Sequence, residues 1–173
     1  MTEAEKRKHR CCFTGHRPEK LNYPETIVKE VLEKEILKAI SDGLNVFISG
    51  MARGVDIWAA EIVLHLRSEG QPIRLICASP YEGFERNWNI DWQERYHAIL
   101  QAADLVRFIS PQYSHSCFQV RNEWMVRHSS KVIAAYNGQS GGTKNTIDYA
   151  NRINVPVTIL EYSLDRIGKN IDN

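Results

Sequence analysis

Six short apolar runs recur along the chain and are separated by longer amphipathic stretches. In most of these runs the apolar positions are continuous rather than alternating. That pattern is typical of strands in a parallel sheet, because helices cover both faces of such a sheet and bury both sides of each strand. The predicted strands are residues 10–14, 45–49, 73–79, 104–109, 131–136 and 157–161.

Between the strands the apolar positions recur every three or four residues, which is the spacing of an amphipathic helix. The predicted helices are residues 24–42, 55–68, 85–103, 116–129 and 143–153. Gly43 follows the first of them, as a glycine often does at the end of a helix. Strands that alternate with helices predict an α/β fold, in which a doubly wound, mainly parallel sheet of about six strands carries helices on both faces.

The length and charge of the chain narrow the possible classes of protein. Its 173 residues fit one domain, and no linker or change of composition divides them, so residues 1–173 are predicted to form a single domain with loose ends at 1–9 and 168–173. The formal net charge is +1. This balance excludes a generally basic nucleic-acid binder and an acidic tail, but it leaves room for a local basic patch.

The four cysteines, Cys11, Cys12, Cys77 and Cys117, lack the spacing of zinc ligands. We expect reduced, buried thiols, with the adjacent Cys11 and Cys12 on opposite faces of a strand. No metal and no cofactor is predicted. The first residues are charged and lack the apolar core of a secretory signal, and no segment is apolar enough to span a membrane. A cytoplasmic protein without a membrane partner is therefore expected.

In an open parallel sheet, ligands bind beyond the carboxyl ends of the strands, near the point where the strand order reverses. The segment after the second strand, Ser49 to Asp56, has two glycines that admit a ligand close to the backbone, an arginine, and a helix N-terminus that suits phosphate. The alternative is a simple turn, with Asp56 favoured there by the helix dipole alone. The predicted ligand contacts in this segment are Ser49, Gly50, Met51, Ala52, Arg53, Gly54 and Asp56.

Other polar groups follow the remaining strands. The glycine-rich turn after the fifth strand either cradles phosphate or forms a flexible surface loop. The residues after the first strand either contact the ligand, with His16 donating a hydrogen bond or moving a proton, or brace neighbouring loops. Trp88 either stacks on a base or packs in the core with Trp92, and the helix after the fourth strand aims polar side chains into a cleft or into solvent. The predicted contacts here are Gly15, His16, Arg17, Trp88, Arg121, Asn122, Gly138, Gly141, Gly142 and Thr143.

Three strings carry a resemblance to a known family: GHRP at 15–18, SGMARGVDIWAAE at 49–61 and RNEWMV at 121–126. Together they resemble the SLOG superfamily, which joins the SMF/DprA proteins with the LOG proteins, and within it the YpsA-like single-domain branch of bacterial proteins. SGMARGVD is similar to the S-G-x-A-R-G-[IV]-D signature of DprA. The resemblance covers about residues 10–160 and implies a Rossmann-like fold whose glycine-rich loops bind nucleotide-derived ligands or, in DprA, single-stranded DNA.

The resemblance to LOG enzymes is looser. These phosphoribohydrolases carry G-G-x-G-T-x-x-E with a catalytic glutamate, whereas Gly142-Thr143 is followed here by Thr146 at the glutamate position. Whether this chain is an enzyme is therefore open, and no catalytic residue is assigned. The leading hypothesis is a sensor or regulatory protein that binds a nucleotide or a nucleotide-derived anion. The alternatives are an N-glycosidic hydrolase of nucleotides and, less favoured, a binder of single-stranded nucleic acid. A homo-oligomer is left open.

Overall fold

The computed structural model of the chain describes residues 1–162, and these form a six-stranded sheet flanked by helices. The strands are β1 Arg10–Gly15, β2 Val46–Ser49, β3 Arg74–Ser79, β4 Leu105–Phe108, β5 Lys131–Ala135 and β6 Val157–Ile159. The helices are α1 Glu3–Arg7, α2 Glu25–Ser41, α3 Val55–Ser68, α4 Ile90–Ala102, α5 Cys117–Arg127 and α6 Gly142–Arg152, and a single 3-10 turn covers Pro18–Lys20.

The strands lie in the order β4-β3-β2-β1-β5-β6, and all of the pairs are parallel. The chain moves outward from β1 through β2 and β3 to β4, and then crosses to the other side of β1 to form β5 and β6. The order therefore reverses between β1 and β5, where Gly15 pairs with Ala135. The predicted Rossmann-like, doubly wound fold of six strands is confirmed.

Two hydrophobic clusters cover the two faces of the sheet. One packs the inner faces of α2, α3 and α4 against β1, β2 and β3, and the other packs α5 and α6 against the opposite face. Cys11 belongs to the first cluster and its neighbour Cys12 to the second, as the alternation of side chains along a strand requires. All four cysteines are buried and free of disulfides, as expected.

One of the two predicted loose ends has regular structure. Residues 3–7, expected within a loose end, form α1, because Thr2 and Glu5 make a capping box and Arg7 Nε donates to the carbonyl of Ser129 at 2.9 Å. Residues 168–173, the other predicted loose end, lie outside the described residues. None of the helices within residues 1–162 combines the length and the apolar character that crossing a membrane requires.

Helix α4 begins at Ile90 rather than at residue 85. Asn89 caps it, because its side chain accepts the backbone N–H of Trp92 at 3.1 Å. Trp88, which the predicted helix over residues 85–103 would place one turn before Trp92, therefore lies in the preceding loop, and its predicted position in the helix is wrong. The spacing of Trp88 and Trp92 suggested a helix because the apolar period continues on the N-terminal side of the capping residue Asn89.

Candidate functional site

A cleft of about 580 Å³ opens at the carboxyl end of the sheet, where the strand order reverses. Most of the residues predicted to contact a ligand line it: Gly15, His16, Arg17, Ala52, Arg53, Asp56, Trp88, Arg121, Asn122, Gly141, Gly142 and Thr143. Five others do not line it: Ser49, Gly50, Met51, Gly54 and Gly138. The cleft also includes five residues that the sequence analysis missed: Phe13, Thr14, Lys20, Phe84 and Phe118.

The floor of the cleft carries a buried carboxylate and a buried guanidinium, from Asp56 in the first turn of α3 and Arg121 in α5. Only 6% of Asp56 and 5% of Arg121 are exposed. Asp56 Oδ2 accepts the backbone N–H of Ala52 at 3.2 Å, and Arg121 Nη1 donates to the carbonyl of Gly50. Arg121 Nε donates to Asn122 Oδ1 at 2.8 Å, so the alternative of a solvated face for Arg121 and Asn122 is wrong.

Because Gly50 has no side chain, there is room beside it for both the Asp56 carboxylate and the Arg121 guanidinium. A Cβ at this position would lie 2.8 Å from Asp56 Oδ2 and 2.9 Å from Arg121 Nη1, which is closer than any side chain tolerates. Gly50 therefore contributes to the cleft through its missing side chain and its carbonyl, not by lining the surface. In the sequence, a glycine between a strand and a helix has the same appearance whether it faces a ligand or a buried carboxylate and guanidinium, which is why a ligand contact was predicted here.

Burial dominates the electrostatics of the pair. It raises the pKa of Asp56 to about 6, although the charge of Arg121 and the N–H of Ala52 both favour the ionised carboxylate. Burial likewise lowers the pKa of Arg121, while the charge of Asp56 opposes that shift. Asp56 Oδ1 has no hydrogen-bond partner among the described residues. The floor of the cleft thus holds a buried carboxyl group that titrates near pH 6 and has one oxygen without a partner among the described residues.

Two loops pack together to form one wall of the cleft. A Cβ on Gly15 would lie 2.5 Å from Val55 Cγ2, and one on Gly54, where φ is +91°, would lie 2.8 Å from Pro18 Cδ. The Nη1 atom of Arg53 forms an ion pair with a carboxylate oxygen of Glu19 at 2.8 Å. The segment after β1 therefore braces the loop after β2, in agreement with one of the two interpretations of that segment, and it also lines the cleft.

Ser49 and Met51 lie beneath the cleft and shape the turn. Ser49 Oγ accepts the backbone N–H of Met51 at 3.2 Å and donates to the carbonyl of Asp56 at 2.8 Å. Met51 is fully buried and has a φ of +63°, which is unusual for a residue with a side chain. Through these contacts Ser49 and Met51 support the turn that positions Asp56.

His16 lines the cleft wall and has a second buried polar atom without a partner among the described residues. The residue is 5% exposed, its ring stacks on Tyr136 with centroids 5.5 Å apart, and Nε2 has no partner among the described residues. Burial lowers the pKa of His16, Lys20 lowers it further, and a hydrogen bond with Asn137 opposes the shift. The imidazole is therefore neutral near pH 7.

The N-terminus of α6 opens into the cleft at Gly141, Gly142 and Thr143. Gly141 occupies the N-cap position and no side chain caps this helix, so its first backbone N–H groups are available to an anion. Thr146, at the position of the LOG glutamate, is buried and donates its hydroxyl to the carbonyl of Gly142 at 2.8 Å. Gly138 lies outside the cleft in the exposed part of the loop.

Comparison with known proteins assigns the family. A profile described as the YspA SLOG family matches residues 11–167. The chain belongs to this family. It is 33% identical to a UPF0398 protein of Lactobacillus acidophilus over 167 residues, which are 91% of this chain and 88% of that protein. It is also 31% identical to a UPF0398 protein of Halalkalibacterium halodurans over 120 residues, which are 68% of this chain and 64% of that protein.

The fold of this family member is similar to that of DNA processing protein A. The Helicobacter pylori protein, whose structure was described for its single-stranded DNA binding mode, superposes with a TM-score of 0.65 at 19% identity. That superposition covers 99% of this chain and 78% of the other. At this identity the likeness establishes the fold.

Some residues lining the cleft of this SLOG-family protein had no usable signal in the sequence. Phe84 and Phe118 lie in the connection after β3 and in the first turn of α5, where an isolated aromatic residue is no more indicative of a site than of packing. Lys20 follows the GHRP string by only two residues, and its positive charge at the same end of the sheet was the signal that could have found it.

Proposed function

We propose that this protein binds a nucleotide or a nucleotide-derived anion in the cleft at the carboxyl end of the sheet, as a cytoplasmic sensor or regulatory protein. The observation that carries the proposal is that the uncapped N-terminus of α6 faces the same cleft as Arg17, Lys20 and Arg53. Backbone N–H groups, a helix dipole and cationic side chains that converge on one space are the elements of a phosphate site.

The size and lining of the cleft favour a ligand larger than phosphate. A volume of about 580 Å³ falls within the range of about 300–1,000 Å³ that is usual for small-molecule sites. Asp56 and His16 line the cleft, and each has one buried side-chain atom, Oδ1 and Nε2, without a partner among the described residues, whereas buried polar groups normally have partners. Sugar hydroxyls would supply them. The net charge of +1 is compatible with this proposal, since the positive charge it needs is local.

Thermal unfolding in the presence of phosphorylated compounds tests the proposal. The panel contains inorganic phosphate, ribose 5-phosphate, AMP, ADP, NAD and ADP-ribose. A compound that binds the folded state adds RT ln(1 + [L]/Kd), which is about 2.7 kcal/mol at a hundredfold excess over Kd. We expect a rise of the melting temperature with at least one nucleotide. Lys20→Ala reduces this rise and Lys38→Ala, an exposed lysine of α2, does not. No shift with any compound overturns the proposal.

N-glycosidic hydrolysis of a nucleotide is a second candidate, and the unpartnered, buried Asp56 Oδ1 favours it. In this reaction water attacks the anomeric carbon, the bond between that carbon and the base nitrogen breaks, and a proton from water reaches the base. A carboxylate beside the anomeric carbon stabilises the positive charge that develops there. Thr146, at the LOG glutamate position, has no carboxylate, so Asp56 would take this role.

Incubation with AMP and separation of free adenine tests hydrolysis. If the reaction occurs, Asp56→Asn lowers its rate roughly 100-fold or more, in keeping with the loss of a positioned carboxylate. A compound that binds the wild-type protein and releases no base over hours excludes this function for that compound, and leaves binding as the function.

Single-stranded nucleic acid is the third candidate. The cleft is lined by four cationic side chains, three phenylalanines and a tryptophan, and such a combination suits a strand whose bases stack and whose phosphates need counter-charges. Binding of a labelled single-stranded oligonucleotide would weaken steeply as salt rises. Absence of binding at low salt excludes it.

A further inference from the structure

The two sides of the cleft differ in chemistry. On one side Phe84, Trp88 and Phe118 form a group that we call the aromatic wall. The centroid of the Phe84 ring lies 5.0 Å from that of Trp88 and 5.5 Å from that of Phe118, with interplanar angles of 75° and 55°. All three side chains are half-buried, so each keeps part of its surface toward the cleft.

The aromatic wall is held rigidly from behind. Trp88 packs edge-on against Tyr96, with centroids 5.6 Å apart, and the hydroxyl of Tyr96 shares a hydrogen bond of 2.8 Å with Ser79 Oγ at the end of β3. The carbonyl of Trp88 also accepts a hydrogen bond from Gln93 Nε2 at 2.7 Å. A surface fixed in this way loses little conformational freedom when a ligand binds to it.

Core packing explains only one side of these rings. Phe84 and Trp88 pack against the first hydrophobic cluster on their inner sides. Their remaining surface, together with that of Phe118, faces the same cleft as the N-terminus of α6. Phe84 and Phe118 also pack on Tyr81, with ring centroids 5.7 and 6.5 Å apart. The three rings that line the cleft beside the anion site are suited to stacking on an aromatic base.

The strand order separates the aromatic wall from the anion site. The wall comes from the loop after β3 and from α5, which follows β4, whereas the cationic and glycine-rich loops follow β1, β2 and β5. From β3 to β5 there are three strand spacings, because β2 and β1 lie between them, and this corresponds to roughly 14 Å. Asp56, which follows β2, lies between the two ends.

We propose that the ligand lies across the ends of these strands with an aromatic base on Phe84, Trp88 and Phe118 and its phosphate at the N-terminus of α6. The ligand class is then a nucleoside phosphate in one defined orientation, rather than a sugar phosphate or phosphate alone. Asp56 lines the cleft between the two ends, on the part of the floor that the sugar of such a ligand would cover. This inference rests on the proposed binding function and adds the base and the orientation to it.

Isothermal titration of the full chain with AMP and with ribose 5-phosphate tests the proposal. The two compounds share the sugar and the phosphate, so their difference measures the base. Stacking of one base on aromatic side chains corresponds to roughly a 5- to 150-fold difference in affinity, and we expect AMP to bind more tightly by such a factor. Equal affinities overturn the inference, while leaving the proposed binding function in place. Binding of neither compound, nor of any other nucleotide in the panel, overturns both.

Variants locate the base. Phe118→Leu and Trp88→Leu keep an apolar side chain but remove the aromatic face, and each is expected to reduce the affinity for AMP roughly tenfold and to leave ribose 5-phosphate unchanged. Trp124→Leu, which alters a tryptophan of α5 stacked on His128 against the other hydrophobic cluster, is the matched control and retains the affinity for AMP. AMP affinities that are unchanged in both wall variants place the base elsewhere and overturn the inference.

Discussion

Two cavities of similar size lie at opposite ends of the sheet, and they differ in whether their polar groups are already satisfied. The carboxyl-end cleft measures about 580 Å³ and the amino-end pocket about 560 Å³. The amino-end pocket is lined by several cationic residues, among them Lys6, Arg10 and Arg74. Volume and positive charge therefore do not distinguish the two ends.

The hydrogen bonds do distinguish them. In the amino-end pocket Arg10 forms an ion pair with Glu3, His9 Nδ1 lies 3.3 Å from the carbonyl of Gly43, and Asp104 Oδ2 accepts the N–H of Leu75 at 2.8 Å. None of its lining residues has a buried side-chain polar atom without a partner among the described residues. The cleft at the carboxyl end has such atoms on Asp56 and His16. Unsatisfied buried groups, more than space, mark the end of the sheet at which to look for a ligand.

The largest expected difference between the two ends concerns their arginines. Arg121→Met leaves Asp56 buried without its counter-charge, which costs about 3–5 kcal/mol of unfolding free energy at pH 7.5. Arg10→Met removes a partner of the exposed Glu3 and costs about 0–1 kcal/mol. Urea unfolding of both variants measures these values. The loss in Arg121→Met is smaller at pH 5.0, because Asp56, with a pKa of about 6, is then largely neutral. Equal losses in the two variants would show that the buried pair is no more important than a surface ion pair.

The second prediction uses the titration of Asp56. A carboxyl whose pKa rises on folding, here from 3.8 to about 6, stabilises the fold below its unfolded pKa and loses that contribution as the pH rises through the folded value. Asp56→Asn does not titrate. The unfolding free energy of the wild type relative to that of Asp56→Asn is therefore expected to fall by about 2.4 kcal/mol between pH 4 and pH 7.

The comparison of the wild type with Asp56→Asn cancels other titrating groups. Arg95 and Lys29 lower the pKa of Glu61, for example, and this contribution is common to both proteins. Guanidinium unfolding at four or five pH values gives the difference. A difference that is constant with pH would mean that burial does not raise the pKa of Asp56 in the folded protein.

Much of the fold follows from the hydrophobic pattern. Helix α3 is predicted with its observed bounds, because Gly54 precedes it and its apolar residues form a regular stripe. The start of α4 is misplaced, because the cap at Asn89 competes with an apolar period that runs on through Trp88. The alternation of elements indicates parallel strands, whereas the order that places β5 beside β1 depends on packing between residues distant in sequence.

The site is predictable to a lesser degree, for a physical reason. The sequence shows which residues follow each strand, so it finds the loops that form the cleft. It does not show that Arg121 reaches the carbonyl of Gly50, or that Asp56 and Arg121 share one buried space. Because of these contacts, the polar face of α5 forms the floor of a cleft, and Gly50 supports the structure instead of contacting the ligand.

The third prediction compares glycines at the two ends. Gly50→Ala places a methyl group against Asp56 and Arg121, which costs about 1–3 kcal/mol of stability by overpacking and displaces the pair from the cleft floor. Gly43→Ala meets no atom within 4 Å, but Gly43 has a φ of +91°, so the cost there is conformational, about 1–2 kcal/mol. The two variants thus lose similar stability, and only Gly50→Ala is expected to lose nucleotide affinity, by about tenfold, as measured by titration calorimetry. Equal affinities of the two variants for the nucleotide would show that Asp56 and Arg121 are not part of the binding site.

The smallest expected effect belongs to the cationic residues of the amino-end pocket. Strand β1 has six residues, so the two ends of the sheet lie roughly 20 Å apart. That distance exceeds the Debye length of about 8 Å at physiological ionic strength, so charges at one end have little influence on a ligand at the other. Lys6→Ala and Arg74→Ala are therefore expected to change the affinity for a nucleotide by less than about twofold at this ionic strength, whereas Lys20→Ala weakens it. The measurement is the dissociation constant of each variant for the same nucleotide. A tenfold loss in Arg74→Ala with no loss in Lys20→Ala would place the ligand in the amino-end pocket and would reverse the comparison, since a cavity with satisfied polar groups would then be the functional one.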